Sequence, residues 1–153
     1  DKARFLDACP HLLDAVQAIV DLFENLQPQD LARLEQHYAP GAYFKDPFNE
    51  VRGVPAIRKI FAHMFEQLHE PRFVIADRVV QGRQAFLTWR FDFRSKGQAA
   101  GEIRTIRGAT HLILDQQGRI SSHRDHWDAA EELYEKLPVL GALMRLLHRR
   151  ASG

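Results

Sequence analysis

The chain reads as an α+β domain in which helices come first and a curled, mostly antiparallel sheet follows. Two observations predict this. Apolar residues in the first half recur at steps of three and four, the period of a helix face. From Phe73 onward they fall instead into β-rich runs separated by glycine-containing breaks. Helices of that kind can cover one face of such a sheet.

Taken in order, Leu12, Val16, Ile19, Phe23 and Leu26 mark a first amphipathic helix, which Gln27-Pro28 interrupts. Asp30 is placed to cap a short second helix carrying Leu31, Leu34 and Tyr38, which Pro40-Gly41 ends. A strand is expected around Tyr43 to Asp46, followed by a loop from Pro47 to Gly53. Pro55 suits the first turn of a third helix, whose stripe of Ile57, Ile60, Phe61, Met64, Phe65 and Leu68 stops before Pro71. Runs over 73–80, 85–94, 102–114 and 119–127, divided by Gly82, Lys96-Gly97 and Gln117-Gly118, predict an antiparallel meander. The chain closes with Asp128 to Lys136, Pro138 and an apolar Val139 to Leu147 segment, which predicts a C-terminal helix lying across the mouth of the sheet or against a partner subunit.

At 153 residues and 45% apolar content, the chain suits one domain over residues 1–153 with a substantial core. Lys plus Arg (21) nearly cancels Asp plus Glu (20), leaving a net charge of +1 and no global field to attract nucleic acid or an anionic membrane. Cys9 alone makes neither an internal disulfide nor a thiolate metal site, which suits a reducing cytoplasm. The charged N-terminal residues and the lack of a stretch near ~20 apolar residues predict neither an export signal nor a membrane span. Alternation sends His111 and His126 away from His123, so no metal is expected, and no dinucleotide fingerprint, Walker loop or nucleophile elbow calls for a cofactor.

The chemistry-bearing candidates are few. Trp89-Arg90-Phe91-Asp92-Phe93 and Ser121 to Asp128 bring one Arg and two Asp, Asp92 and Asp125, to neighbouring strands, and carboxylates bridged by a guanidinium can act as an acid/base device. Asp46, closing Tyr43-Phe44-Lys45-Asp46-Pro47, is a third acid. Alternation puts Thr88, Arg90 and Asp92 on one face of their strand and Leu87, Trp89, Phe91 and Phe93 on the other. Either the aromatic face is core and the charges meet water, or the charges face a cavity and the aromatic face is an interface. On the last strand the same parity sends His123, Asp125 and Trp127 inward. The stripe Phe61, Met64, Phe65 and Leu68 is either plain core or the wall of an apolar ligand cavity.

These residues resemble the nuclear-transport-factor-2-like (NTF2-like) cone fold, in the branch of ketosteroid isomerases, SnoaL-type polyketide cyclases and limonene epoxide hydrolases, over nearly the whole chain. The segment Asp30 to Pro47, ending Lys45-Asp46-Pro47, is similar to the isomerase segment that ends in its proton-shuttling Asp, which implies that role for Asp46. The isomerase oxyanion positions fall on Leu22 and Thr110. Arg90-Phe91-Asp92 and Arg124-Asp125-His126-Trp127-Asp128, continuing into Glu132, Leu133 and Leu137-Pro138, resemble the epoxide hydrolase pattern. That likeness implies Asp125 as the base toward water, Asp92 as the acid toward the epoxide oxygen and Arg90 as their bridge. The hydrolase's water-holding Tyr and Asn correspond to Phe44 and Asp46. The resemblance further implies a pocket lined by Phe44, Phe61, Phe65, Thr88, Thr110, Leu112, His123 and Trp127. It also implies a homodimer through the convex sheet face, built partly on Trp89, Phe91, Phe93 and Ile113. The function expected is cofactor-independent chemistry on a small hydrophobic molecule, most concretely epoxide hydrolysis. The alternatives are isomerase or cyclase chemistry with Asp46 as base, and ligand binding without catalysis, since fold alone does not fix function.

Overall fold

The computed structural model describes residues 10–95 and 102–132. Helix α1 (Pro10–Glu24) is followed by a 3-10 helix (Pro28–Gln36), strands β1 (Tyr38–Lys45) and β2 (Glu50–Arg52), and helix α2 (Val54–Gln67). The meander β3 (Leu68–Gln81), β4 (Gln84–Ser95), β5 (Arg104–Leu114) and β6 (Ile120–His126) comes next, then a short helix α3 (Ala129–Glu132). The six strands form one sheet in the order β2-β1-β6-β5-β4-β3. Every pairing is antiparallel except that of β1 with β6, which is parallel. The architecture is the expected α+β cone, with helices on one face of a curved sheet. The Val139 to Leu147 stripe lies outside the described residues.

Local chemistry accounts for most boundaries. Asp30 is not the cap residue itself: it sits in the first turn, where its Oδ2 accepts the Gln27 backbone N–H at 2.8 Å, closing a capping box with Gln27. The second helix stops earlier than its apolar spacing suggested, at Gln36, and Tyr38 begins β1 instead. Pro40 lies within that strand, in the interval where the β1–β6 register shifts, because proline has no N–H to give a ladder. The β3–β4 turn is Gly82-Arg83, and Gly82, with φ 58, supplies the positive φ that a two-residue hairpin needs.

The core lies between the helices and the inner face of the sheet. Val16, Ile19 and Val20 of α1, Leu34 of the 3-10 helix and Ile57 of α2 pack on Tyr38, Phe44, Leu87, Leu112, Leu114 and Ile120. A second cluster of Trp89, Phe91, Phe93 and Ile106 continues along the same face, with Phe73, Ile75, Met64, Leu68 and Trp127 against it. This settles the parity of β4. Leu87, Trp89, Phe91 and Phe93 point inward and are buried, whereas Thr88, Arg90 and Asp92 point outward. The interface expected of Trp89, Phe91 and Phe93 is therefore corrected: the three rings are interior to the subunit, and of the four residues named only Ile113 lies on the outer face, beside exposed Phe86 and Val79. The physical reason is that burying three large rings is strongly favourable, while Arg90 and Asp92 keep their hydration outside.

Gly108 makes room for this arrangement. It lies opposite Trp89 in the β4–β5 register, and a Cβ on it would come 2.6 Å from the indole ring and 2.9 Å from the His126 carbonyl oxygen. Substituting Gly108→Ala should destabilise the protein by about 1–3 kcal/mol, an overpacking cost. Gly41→Ala, whose Cβ would meet nothing within 4 Å, should leave the urea midpoint close to wild type, and a Gly108→Ala midpoint equal to that of Gly41→Ala would contradict the packing described.

Candidate active site

The inner face of the sheet and the helices that cover it enclose an apolar chamber of about 520 Å3. Its walls include Phe44 of β1, Phe61 and Met64 of α2, Phe73 of β3, Trp89, Phe91 and Phe93 of β4, Ile106 of β5 and Trp127. Asp46, Asn49, His63, Gln67 and Arg104 add polar groups. Beyond it lies a narrow recess of about 20 Å3 between Phe23, Phe61, Phe73, Ile75, Leu87 and Trp89, with Thr110, His123 and Asp125 as its polar members. Phe61, Phe73, Trp89 and Asp125 border both spaces.

Asp125 is the centre of a hydrogen-bonded cluster. The Trp89 indole Nε1–H donates to Thr110 Oγ1 at 2.8 Å, and the Thr110 hydroxyl donates to Asp125 Oδ1 at 2.6 Å. An indole N–H cannot accept, so it fixes the direction of this chain. On the other side, His123 Nε2 lies 2.8 Å from the same Oδ1, and His123 Nδ1 lies 2.8 Å from the Tyr38 hydroxyl. Neighbouring strands bring the parts together. Thr110 of β5 stands opposite Asp125 of β6, Leu87 lies between Thr110 and β3, and Phe44 of β1 stands opposite His123. The imidazole is boxed by Phe44 at 4.6 Å, Phe23 at 5.6 Å and Tyr38 at 6.0 Å between ring centroids. Asp125 is 17% exposed, and among the described residues its Oδ2 has no hydrogen-bond donor. Burial first, and the charge of Asp125 second, hold the Tyr38 phenol well above its ordinary pKa of 10.0.

The other sequence candidates divide. Phe44, Phe61 and Trp127 line the chamber, and Thr110 and His123 line the recess. Phe65 and Leu112 belong to the core and border neither space. Thr88, Arg90 and Asp92 are corrected: they lie on the opposite face of the sheet from Asp125. There Arg90 Nε donates to Asp92 Oδ2 at 3.0 Å with its side chain 52% exposed, and Thr105 donates to Asp92 Oδ1 at 2.7 Å. Partial burial works to raise the Asp92 pKa, but the Thr105 and Arg90 hydrogen bonds prevail and hold it below its ordinary value. This is a surface ion pair, and it does not bridge Asp92 to Asp125. Asp46 borders the chamber, yet its Oδ1 accepts the backbone N–H groups of Phe48 and Asn49 at 2.8 and 2.7 Å, and the Asn49 amide donates to both of its oxygens. Its carboxylate holds the β1–β2 loop in shape.

The oxyanion positions implied by the isomerase likeness are not filled by donors facing the chamber. Leu22 packs with the core, and the Thr110 hydroxyl is spent on Asp125. Tyr38, which the helical spacing drew into the second helix, is the participant that sequence reasoning missed, and Trp89 is a second, since the family likeness had put it on the convex face. Among the described residues, no group of His, Cys, Asp and Glu is arranged to hold a metal ion, and no helix is long and apolar enough to cross a membrane.

A curved sheet covered by helices around an apolar chamber, bordered by the carboxylates of Asp46 and Asp125, is the architecture of the NTF2-like cone. Residues 19–123 match the model of the SnoaL-like domain, and the chain belongs to that family. Among solved structures it is similar to an NTF2-like protein of unknown function from Burkholderia pseudomallei K96243, with 16% identity over 80% of this chain and 95% of that one and a TM-score of 0.68. A putative SnoaL-like polyketide cyclase from Jannaschia sp. CCS1 shares 20% identity over 82% and 92% of the two chains, at a TM-score of 0.67. An LEH-like epoxide hydrolase of M. tuberculosis shares 15% identity over 79% and 85%, at a TM-score of 0.62. At these identities the likeness is one of fold. No curated protein matches the chain.

Two outcomes are expected. Because Arg90 and Asp92 form an exposed pair on the outer face, Arg90→Ala should change stability by about 1 kcal/mol or less, whereas Thr110→Val, which leaves the buried Trp89 N–H without an acceptor, should cost about 1–3 kcal/mol; chemical denaturation of the two variants gives the comparison. The second concerns alkaline pH. A phenol whose folded-state pKa is raised contributes stability that is complete below the unfolded value near 10.0 and is lost as pH climbs toward the folded value. Wild type should therefore lose stability above about pH 10 more steeply than Tyr38→Phe, and parallel curves for the two would refute the burial assigned to this hydroxyl.

Proposed function

We propose that this protein is a cofactor-independent enzyme that moves a proton on a small, largely apolar molecule, in an isomerisation or cyclisation, with Asp125 as the acid–base group. The observation that carries the reading is the position of Asp125. Its Oδ1 is held by Thr110 and His123, and the residue borders both the recess and the aromatic chamber. A C–H beside a carbonyl is acidic enough for such a carboxylate: Oδ2 takes the proton as the C–H electron pair enters the enolate, then returns it to another carbon. Aromatic walls suit an apolar substrate, and excluding water strengthens the electrostatic interactions inside the site.

Asp46 is the competing base. It also borders the chamber, but its lone pairs already serve its own loop. The hydrolase reading draws support from the fold likeness to an epoxide hydrolase and from Asp125 itself, but with Arg90 and Asp92 on the outer face it would have to run on Asp125 and His123. Homodimerisation through the outer face stays part of the proposal, with exposed Val79, Phe86 and Ile113 as its apolar contacts.

The test is proton NMR in D2O with a panel of hydrophobic ketones, run beside diol detection with a panel of hydrophobic epoxides. Wild type should exchange or rearrange the C–H next to the carbonyl, and Asp125→Asn, still folded by circular dichroism, should lose about 10²- to 10⁴-fold of that rate. If Asp46→Asn lost the activity and Asp125→Asn kept it, the base would be Asp46. Diol without C–H exchange would favour hydrolysis, and no turnover on either panel would favour ligand binding without catalysis.

A further inference from the structure

Two hydrogen-bond chains meet on Asp125 Oδ1, and they differ in what sets their direction. In the chain from Trp89, the indole can only donate. In the chain from Tyr38, both the phenol and the imidazole can donate or accept, so the direction must come from their surroundings. Tyr38 is fully buried and its ring belongs to the hydrophobic core. Its hydroxyl has one hydrogen-bond partner among the described residues, His123 Nδ1 at 2.8 Å. Were the phenol to accept from an Nδ1–H, its own hydrogen would point into apolar side chains with nothing to receive it, a penalty on the scale of any buried donor left unpaired. Donation from Tyr38 to Nδ1 satisfies both groups and leaves the ring hydrogen on Nε2, directed at Asp125 Oδ1, 2.8 Å away.

We propose that Tyr38 is the positioning residue of this site: from a place that does not reach the chamber, it fixes His123 as an Nε2–H donor to Asp125 Oδ1, so that Oδ2 is the oxygen presented to a substrate. The inference rests on the reading of Asp125 as the acid–base group for its catalytic meaning, but not for its test. A phenol 85 residues from His123 along the chain thereby joins Thr110 in selecting which oxygen of the carboxylate is reactive. If the ring carried its hydrogen on Nδ1 instead, the Nε2 lone pair would face the lone pairs of Oδ1, and the carboxylate would lose that donor.

The experiment reads ring hydrogens and needs no substrate. In protein labelled with 15N-histidine, with His123 assigned by the signal lost in His123→Gln, the wild type should show Nε2 protonated and Nδ1 as a hydrogen-bonded acceptor. In Asp125→Ala, where Tyr38 remains, the same single tautomer should persist. In the double variant Tyr38→Phe with Asp125→Ala, which keeps the ring volume of residue 38, the signals should shift to those of a tautomer mixture. A wild-type Nδ1–H, a mixture already present in Asp125→Ala, or a single unshifted tautomer in the double variant would each overturn the proposal. If the double variant does not fold, the wild type and Asp125→Ala decide alone. Absence of turnover would undo the catalytic reading and leave this result standing.

Discussion

The register that places Trp89 across from Gly108 is the constraint on which the rest of the molecule depends. It sets which face of β4 is interior, and a slip of one residue would exchange four buried hydrophobic side chains for Thr88, Arg90 and Asp92. It also carries the indole N–H to Thr110, and through Thr110 to the carboxylate of the next strand. The chamber wall and the hydrogen-bonded cluster around Asp125 are thus one construction. The ring that gives the cavity its apolar surface also supplies the first hydrogen bond in the chain that orients Asp125.

Much of the fold was legible because periodicity reports burial directly. The stripes of α1 and α2 and the four-strand meander follow from steps of three and four giving way to alternation. The same alternation divided β4 into a charged face and an aromatic face, but could not say which was inside, since a strand pattern has no sign. The answer came from the aromatic walls that β3 and α2 add, through Phe73 against Phe91 at 4.4 Å and Met64 beside the same cluster. A resemblance to an Arg-x-Asp strand pointed to the other face, and short motifs of charged residues are as common on a solvated sheet surface as in a cavity. Asp125 and His123 were readable because alternation holds from His123 onward, past the register shift near Ile120. Tyr38 was not, because its spacing from Leu31 and Leu34 continued a helix whose last turn does not form; the 3-10 segment ends at Gln36.

A carboxylate that borders an aromatic chamber gives up part of its contact with water, and the cluster around Asp125 supplies donors in its place. Thr110 and His123 direct hydrogen bonds at one oxygen, standing in for water that the rings displace. The contrast with Asp46 is instructive. It too is a half-buried acid beside the chamber, but the donors that satisfy it come from its own turn, so its hydrogen bonds shape a loop. Two acids on one wall therefore differ in kind: one is held by distant parts of the chain and keeps an oxygen for others, while the other is consumed by its neighbours in sequence.

The one parallel pairing among the described residues, β1 beside β6, has a consequence for how the molecule comes into being. Every other pairing joins strands close in sequence and closes a short loop. β1 must wait for a partner that the register places about 80 residues downstream, with α2 and strands β3 to β5 intervening, and closing so long a loop is entropically the slowest of these steps. On a ribosome, β3, β4 and β5 can pair as they emerge, while Tyr38 stays without its imidazole until β6 has been made. The hydrogen-bonded cluster of Tyr38, His123 and Asp125 accordingly waits for β6, and a chain cut short before that strand would hold most of its sheet and neither His123 nor Asp125.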